Sequence, residues 1–143
     1  MPVRKGNAEW KGNLKEGTGT LSSESGVLKN MAYNFVSRFD QGKQTNPEEL
    51  LGAAHSACFT MALANSLALA GFTVNSVKTD AKVHIEKLES GFTITKIELD
   101  TVGDVAGINE KTFLEHAEKT KTGCIVSRAL TGPMLILNAK LKK

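Results

Sequence analysis

The chain has 143 residues, 41% of them hydrophobic, and its 18 Lys and Arg exceed its 15 Asp and Glu to give a net charge of +3. That length supports one domain, 1–143, with one modest core. The basic residues are scattered from Arg4 to Lys143 rather than gathered into a concentrated face, which argues against nucleic acid as the main partner.

In chain order, the Gly-, Thr- and Ser-rich first third reads as short strands and turns around Ala8 to Leu14, Gly17 to Ser22 and Tyr33 to Phe39. In the last of these a two-residue period puts Tyr33, Phe35 and Phe39 on one face and Asn34, Val36 and Arg38 on the other, so Arg38 is expected to point away from the aromatic side. A long helix follows. Asn46 caps it, Pro47 suits its first position, Glu49 completes a capping-box-like pattern, and Gly71 stands where a C-cap glycine belongs after Ala70. Its alanines occur around much of the circumference, and a helix apolar on most sides must be covered on most sides, a large demand on one small domain.

Past Gly71 the period changes to two. Val77, Thr79, Ala81, Val83 and Ile85 oppose Lys78, Asp80, Lys82, His84 and Glu86, which predicts a half-buried strand with a solvated His84. Glu89-Ser90-Gly91 turns this strand into a second one over Phe92 to Thr101, and a shift of apolar phase between Ile94 and Ile97 predicts a bulge or two-sided burial. A helix is expected from about Glu110 to Lys121, ended by Gly123. A short one begins near Cys124, and a closing strand carries Leu135, Leu137, Ala139 and Leu141, with Lys140, Lys142 and Lys143 as its solvated end. The sum is an α+β architecture with antiparallel sheets.

No apolar run approaches the roughly 20 residues that span a bilayer. The opening Met-Pro-Val-Arg-Lys-Gly has no apolar stretch behind its charges to act as a signal peptide, so the expected location is the cytoplasm, away from membranes. In that reducing compartment two cysteines are either buried apolar filler or a working redox pair. Cys58 lies among small residues about three turns into the long helix, where a buried thiolate needs a cationic neighbour such as Arg38. Cys124 follows Gly123 at a predicted helix N-terminus, where backbone N–H groups favour a thiolate. The spacing is not Cys-x-x-Cys and leaves open whether the two sulfurs meet. His55 precedes Cys58 by three residues and can share its face, as a Cys-His pair or as an ordinary packed histidine. His55, His84 and His116 show no metal-ligand spacing with the cysteines, and Gly17-Thr18-Gly19-Thr20 is no phosphate loop, so neither metal nor cofactor is expected.

The run Thr45-Asn46-Pro47-Glu48-Glu49-Leu50-Leu51-Gly52-Ala53-Ala54-His55-Ser56-Ala57-Cys58-Phe59 closely resembles the signature of the osmotically inducible protein C and organic hydroperoxide resistance family. Ser23-Glu24-Ser25-Gly26-Val27-Leu28, Arg38-Phe39, the run from Gly91 to Ile97, and Gly123-Cys124 followed by Val126-Ser127 extend the resemblance over nearly the whole chain. Ala54-His55 and the position of Arg38 are more similar to the osmotically inducible branch.

The resemblance implies an intertwined homodimer, with sheets from both chains wrapped around two long central helices and two active sites at the interface. It implies a thiol peroxidase that reduces organic hydroperoxides to alcohols. Cys58 is the peroxidatic cysteine, Cys124 resolves its sulfenic acid as a disulfide, Arg38 and Glu48 tune the site, and a lipoyl-type dithiol recycles the pair. Members commonly have proline after the second cysteine, where this chain has Ile125. Ten residues of helix place Glu48 roughly 15 Å and about 80° from Cys58, so either Arg38 bridges them or the partner chain supplies the carboxylate. The alternative reading is a non-catalytic redox sensor or binding dimer that uses the same cysteine pair.

Overall fold

A computed structural model describes residues 1–143. The chain forms two compact units, Met1–Leu50 and Leu51–Lys143.

In the first unit β1 (Gly6–Lys11), β2 (Thr18–Ser23) and β3 (Met31–Tyr33) form an antiparallel sheet in the order β1-β2-β3. Gly19 stands opposite both Trp10 and Tyr33, whose ring centroids lie 5.5 Å apart. A Cβ at Gly19 would lie 2.5 Å from the Tyr33 ring and 2.7 Å from that of Trp10, so only glycine lets the two rings meet across the middle strand. The expected strand to Phe39 stops at Tyr33 and gives way to a short helix, α1 (Phe35–Phe39). Its cause is local. Asn34 caps with its side chain accepting from the Ser37 N–H at 2.9 Å, and Ser37 Oγ accepts in return from the Asn34 N–H at 2.9 Å. On this helix positions 35, 38 and 39 share a face, which reverses the expected orientation of Arg38: its guanidinium carbon lies 5.1 Å from the Phe39 ring centroid.

The long helix α2 (Pro47–Leu69) begins where the sequence places it, with Asn46 Oδ1 accepting from the Glu49 N–H at 2.8 Å. The Glu49 carboxylate accepts from Thr45 Oγ1 at 2.6 Å instead of closing the capping box. Gly71, with φ +90°, ends the helix through a Schellman pair: its N–H donates to Ala68 O, and the Phe72 N–H donates to Leu67 O. Gly52, His55, Phe59, Leu63 and Leu67 recur at three- and four-residue steps and are buried, whereas Ala53, Ala54, Ala57, Met61 and Leu69 are exposed. One expectation is corrected here, because α2 is long and apolar enough, by length and composition, to cross a bilayer. Ser56, Asn65 and Ser66 interrupt its apolar run without making the helix as a whole polar.

In the second unit β4 (Thr73–Leu88) and β5 (Gly91–Ala106) form the expected hairpin, and Thr95 is the bulged residue between the pairs His84↔Lys96 and Ile85↔Ile94. α3 (Glu110–Gly123) is capped by Asn109, and Cys124, rather than Gly123, ends it. After α4 (Ile125–Ala129), β6 (Met134–Leu141) adds to β5 in parallel, which corrects the all-antiparallel expectation. Two helices lie between β5 and β6, and a crossover of that kind is what a parallel pair requires. Phe59, Leu63 and Leu67 of α2, Ile97, Leu99 and Val105 of β5, Phe113 and Ala117 of α3, and Cys124 form the core. Each fully buried Phe or Leu among them contributes about 1.5–3 kcal/mol.

Candidate active site

Arg38 and Glu48 meet as the resemblance implies. The Arg38 Nε–H donates to Glu48 Oε1 at 2.9 Å, and this bond leaves the terminal amino groups of the guanidinium for another acceptor. Glu48 is 6% exposed and its Oε2 is buried without a hydrogen-bond partner. Its position in the first turn of α2 also suits a carboxylate. Around Arg38 lies a groove of about 210 Å³ lined by Trp10, Leu14, Tyr33, Phe35 and Phe39. Sequence reasoning missed this aromatic groove because it read a strand where Asn34 and Ser37, three residues apart, announce a helix start.

Cys58 is half-buried on α2 and packs against the core cluster of which Cys124 is a buried member. Both are free thiols. The two cysteines therefore touch the same apolar cluster. Cys124 links α3 to α4 in an extended conformation, and its sulfur caps α4 by accepting from the Ser127 N–H at 3.3 Å. Ile125 occupies the first position of α4, where a backbone N–H has no intrahelical partner in any case, so the absence of proline leaves the cap formed.

His55 does not pair with Cys58. Its Nε2 lies 2.7 Å from Ser127 Oγ, which in turn lies 3.0 Å from Cys124 Sγ. Burial pushes the His55 imidazole below its ordinary range, so the ring is neutral at physiological pH. Sequence reasoning placed Ser127 beside Cys124 without giving it a role; the signal for one is the three-residue spacing that lets residue 124 cap position 127. His84 is half-buried and bonded to Glu98 rather than solvated, and His116 Nδ1 lies 2.7 Å from Ser66 Oγ. No group of three or more His, Cys, Asp or Glu side chains is arranged to hold a metal ion.

The fold is α+β, with a helix-borne thiol packed against a core that contains a second thiol. More particularly, the chain belongs to the OsmC-like protein family, whose profile matches residues 40–137. It is 51% identical over 127 residues to Peroxiredoxin OsmC of Escherichia coli (strain K12), covering 89% of each protein. Its fold is similar to that of an organic hydroperoxide resistance protein from Elizabethkingia anophelis, solved with crystallant-derived thiocyanate bound (TM-score 0.72, 24% identity, 99% of this chain and 98% of that one). An OsmC like protein from Mycoplasma pneumoniae gives a TM-score of 0.74 at 14% identity, over 99% of both chains.

Proposed function

We propose that this chain is a cytoplasmic thiol peroxidase that reduces organic hydroperoxides, with its two units working as one domain. The observation that carries the proposal is the shared apolar cluster: a half-buried Cys58 packs on the core that holds a buried, free Cys124. The relationship to Peroxiredoxin OsmC supports the same reading.

In this mechanism the Cys58 thiolate attacks the peroxide, the O–O bond breaks, and the alkoxide leaves as alcohol after taking a proton, with a sulfenic acid left on Cys58. Arg38, oriented by Glu48, stabilises the charge on the departing oxygen with its free amino groups. Cys124 displaces water from the sulfenic acid to form the disulfide, and a lipoyl-type dithiol restores both thiols by exchange. The aromatic groove at Arg38 favours an organic hydroperoxide over hydrogen peroxide, because apolar walls reward burial of an alkyl or aryl group.

The working unit is a homodimer. Ala53, Ala54, Ala57, Met61 and Leu69 form an exposed apolar face on α2, and a second copy covers it better than water does. A steady-state assay driven by a lipoyl dithiol tests the proposal. Cumene hydroperoxide is expected to turn over faster than hydrogen peroxide, and Cys58→Ser to abolish both reactions. Stoichiometric oxidation without turnover would establish the redox sensor instead.

A further inference from the structure

We propose that Ser127 and His55 form a proton relay for Cys124, so that the buried second thiol is activated by a hydroxyl–imidazole pair rather than by the Arg38–Glu48 pair. The proposal rests on the resolving role given to Cys124 above. Its geometry is a chain of short contacts, with Cys124 Sγ 3.0 Å from Ser127 Oγ and Ser127 Oγ 2.7 Å from His55 Nε2. All three residues are buried, at 3%, 7% and 1% exposure. Residues from α2 and from the start of α4 converge on it across 72 positions of sequence.

A buried thiol needs this more than an exposed one. Cys124 has little water within reach to take its proton, and a thiolate formed there needs hydrogen bonds to replace hydration. The trio satisfies both protonation states with the same atoms. As a thiol, Cys124 donates to Ser127 Oγ while the Ser127 hydroxyl donates to His55 Nε2. As a thiolate, Cys124 accepts from the Ser127 hydroxyl, which accepts in turn from His55 Nε2–H, and the Ser127 backbone N–H already points at the sulfur at 3.3 Å. Two proton transfers, from Cys124 Sγ to Ser127 Oγ and from Ser127 Oγ to His55 Nε2, convert one arrangement into the other.

His55 carries a second mark of function. Its Nδ1 is buried and has no hydrogen-bond partner, a deficit that a histidine retained for packing would shed by replacement with an apolar residue of similar size. The neutral state of the ring leaves one nitrogen open to receive a proton.

The step balances without any added reactant. The Cys124 sulfur attacks the Cys58 sulfur and forms the S–S bond as the S–O bond breaks. The thiol proton passes to Ser127 Oγ while the hydroxyl proton of Ser127 passes to His55 Nε2. Hydroxide leaves with the S–O electron pair and becomes water with a proton from solvent, and His55 returns its proton to solvent. The Cys124 sulfur is oxidised and the Cys58 sulfur is reduced from sulfenic acid to disulfide. When a dithiol later opens the disulfide, the relay runs backwards and reprotonates Cys124. Ser127 therefore touches a reacting atom, and His55 is a positioning residue that acts through it.

A single-turnover experiment on the full-length protein tests the relay, with one equivalent of cumene hydroperoxide and separate detection of sulfenic acid and disulfide. Ser127→Ala is expected to slow disulfide formation by about a hundredfold or more, the range of a lost general base. Formation of the sulfenic acid stays within about twofold of wild type, and sulfinic Cys58 accumulates. Ser127→Thr restores the rate, because it keeps the hydroxyl. Disulfide formation at the wild-type rate in Ser127→Ala, or an equal fall in both steps, overturns the relay. A wild-type protein that consumes peroxide and forms no disulfide overturns the resolving role as well. An infrared measurement in Cys58→Ser, where Cys124 is the sole thiol, separates the two ideas without catalysis. The S–H stretch is expected to shift toward that of a free thiol when Ser127→Ala is added, and an unmoved band overturns the relay whatever the fate of the peroxidase reading.

Discussion

The two cysteines share one apolar cluster and live in different structural circumstances. Cys58 sits in mid-helix on α2, half-buried, its backbone fixed by the regular hydrogen bonding of a 23-residue element. Cys124 sits at a break, where α3 ends and the five-residue α4 begins, and its sulfur is buried and already engaged with Ser127. Moving Cys58 means moving the longest helix of the fold. Moving Cys124 requires only that a short helix lose its cap, which local opening achieves at far lower cost. Under the proposed mechanism the contrast divides the labour: a rigid, reachable sulfur for the first encounter, and a shielded, movable one for the second.

The largest expected effect of breaking this contrast comes from Cys124→Ser. Peroxide is consumed once, with a first-turnover rate near that of wild type, and steady-state turnover then collapses as mass spectrometry finds sulfinic and sulfonic acid on Cys58. Sustained turnover by this variant would show that the two sulfurs do not divide the work.

A smaller effect separates the charged pair from the buried relay. Arg38→Met is expected to lower the rate of sulfenic acid formation by about a hundredfold, or ~2.7 kcal/mol of transition-state stabilisation, and to leave disulfide formation unchanged. Stopped-flow measurement of the two phases checks this. Equal slowing of both phases would place the guanidinium at both sulfurs and erase the distinction between them.

How much of this was legible in the sequence depends on the range of the interaction concerned. α2 could be read almost to the residue because its signals are local: Asn46 and Pro47 at one end, Gly71 at the other, and an apolar run between. The bulge at Thr95 was legible as a phase shift for the same reason. Residues 33–39 misled because alternating aromatics mimic a strand, while the Asn34–Ser37 box that makes them a helix spans only four residues. The parallel docking of β6 and the contact of His55 with Ser127 have no local signature at all, since each joins segments far apart in the chain. His55 was accordingly weighed against Cys58, its neighbour in sequence, when its partner in space stands next to the other cysteine.

The smallest expected effect is one of stability, and it probes the buried side of the contrast alone. The His55 imidazole is held below its ordinary value of 6.5 by burial, so between that value and its lower folded one the unfolded chain binds a proton that the native chain refuses. Stability therefore rises with pH in this window and is lost as pH falls through it, at up to ~1.4 kcal/mol per pH unit. Asp100 and Asp104 behave in a separate window. Their carboxyls lie below the ordinary value of 3.8, Asp100 through Lys82 and Asn138 and Asp104 through Asn75 and Lys142, so what they contribute is lost only under more acidic conditions. Urea titrations at intervals from pH 6.5 to 3.8 are expected to show the slope in wild type and a shallower one in His55→Gln, whose amide cannot take up the proton. Identical slopes in the two proteins would mean that the native imidazole is protonated as readily as the unfolded one, so that burial does not shift it.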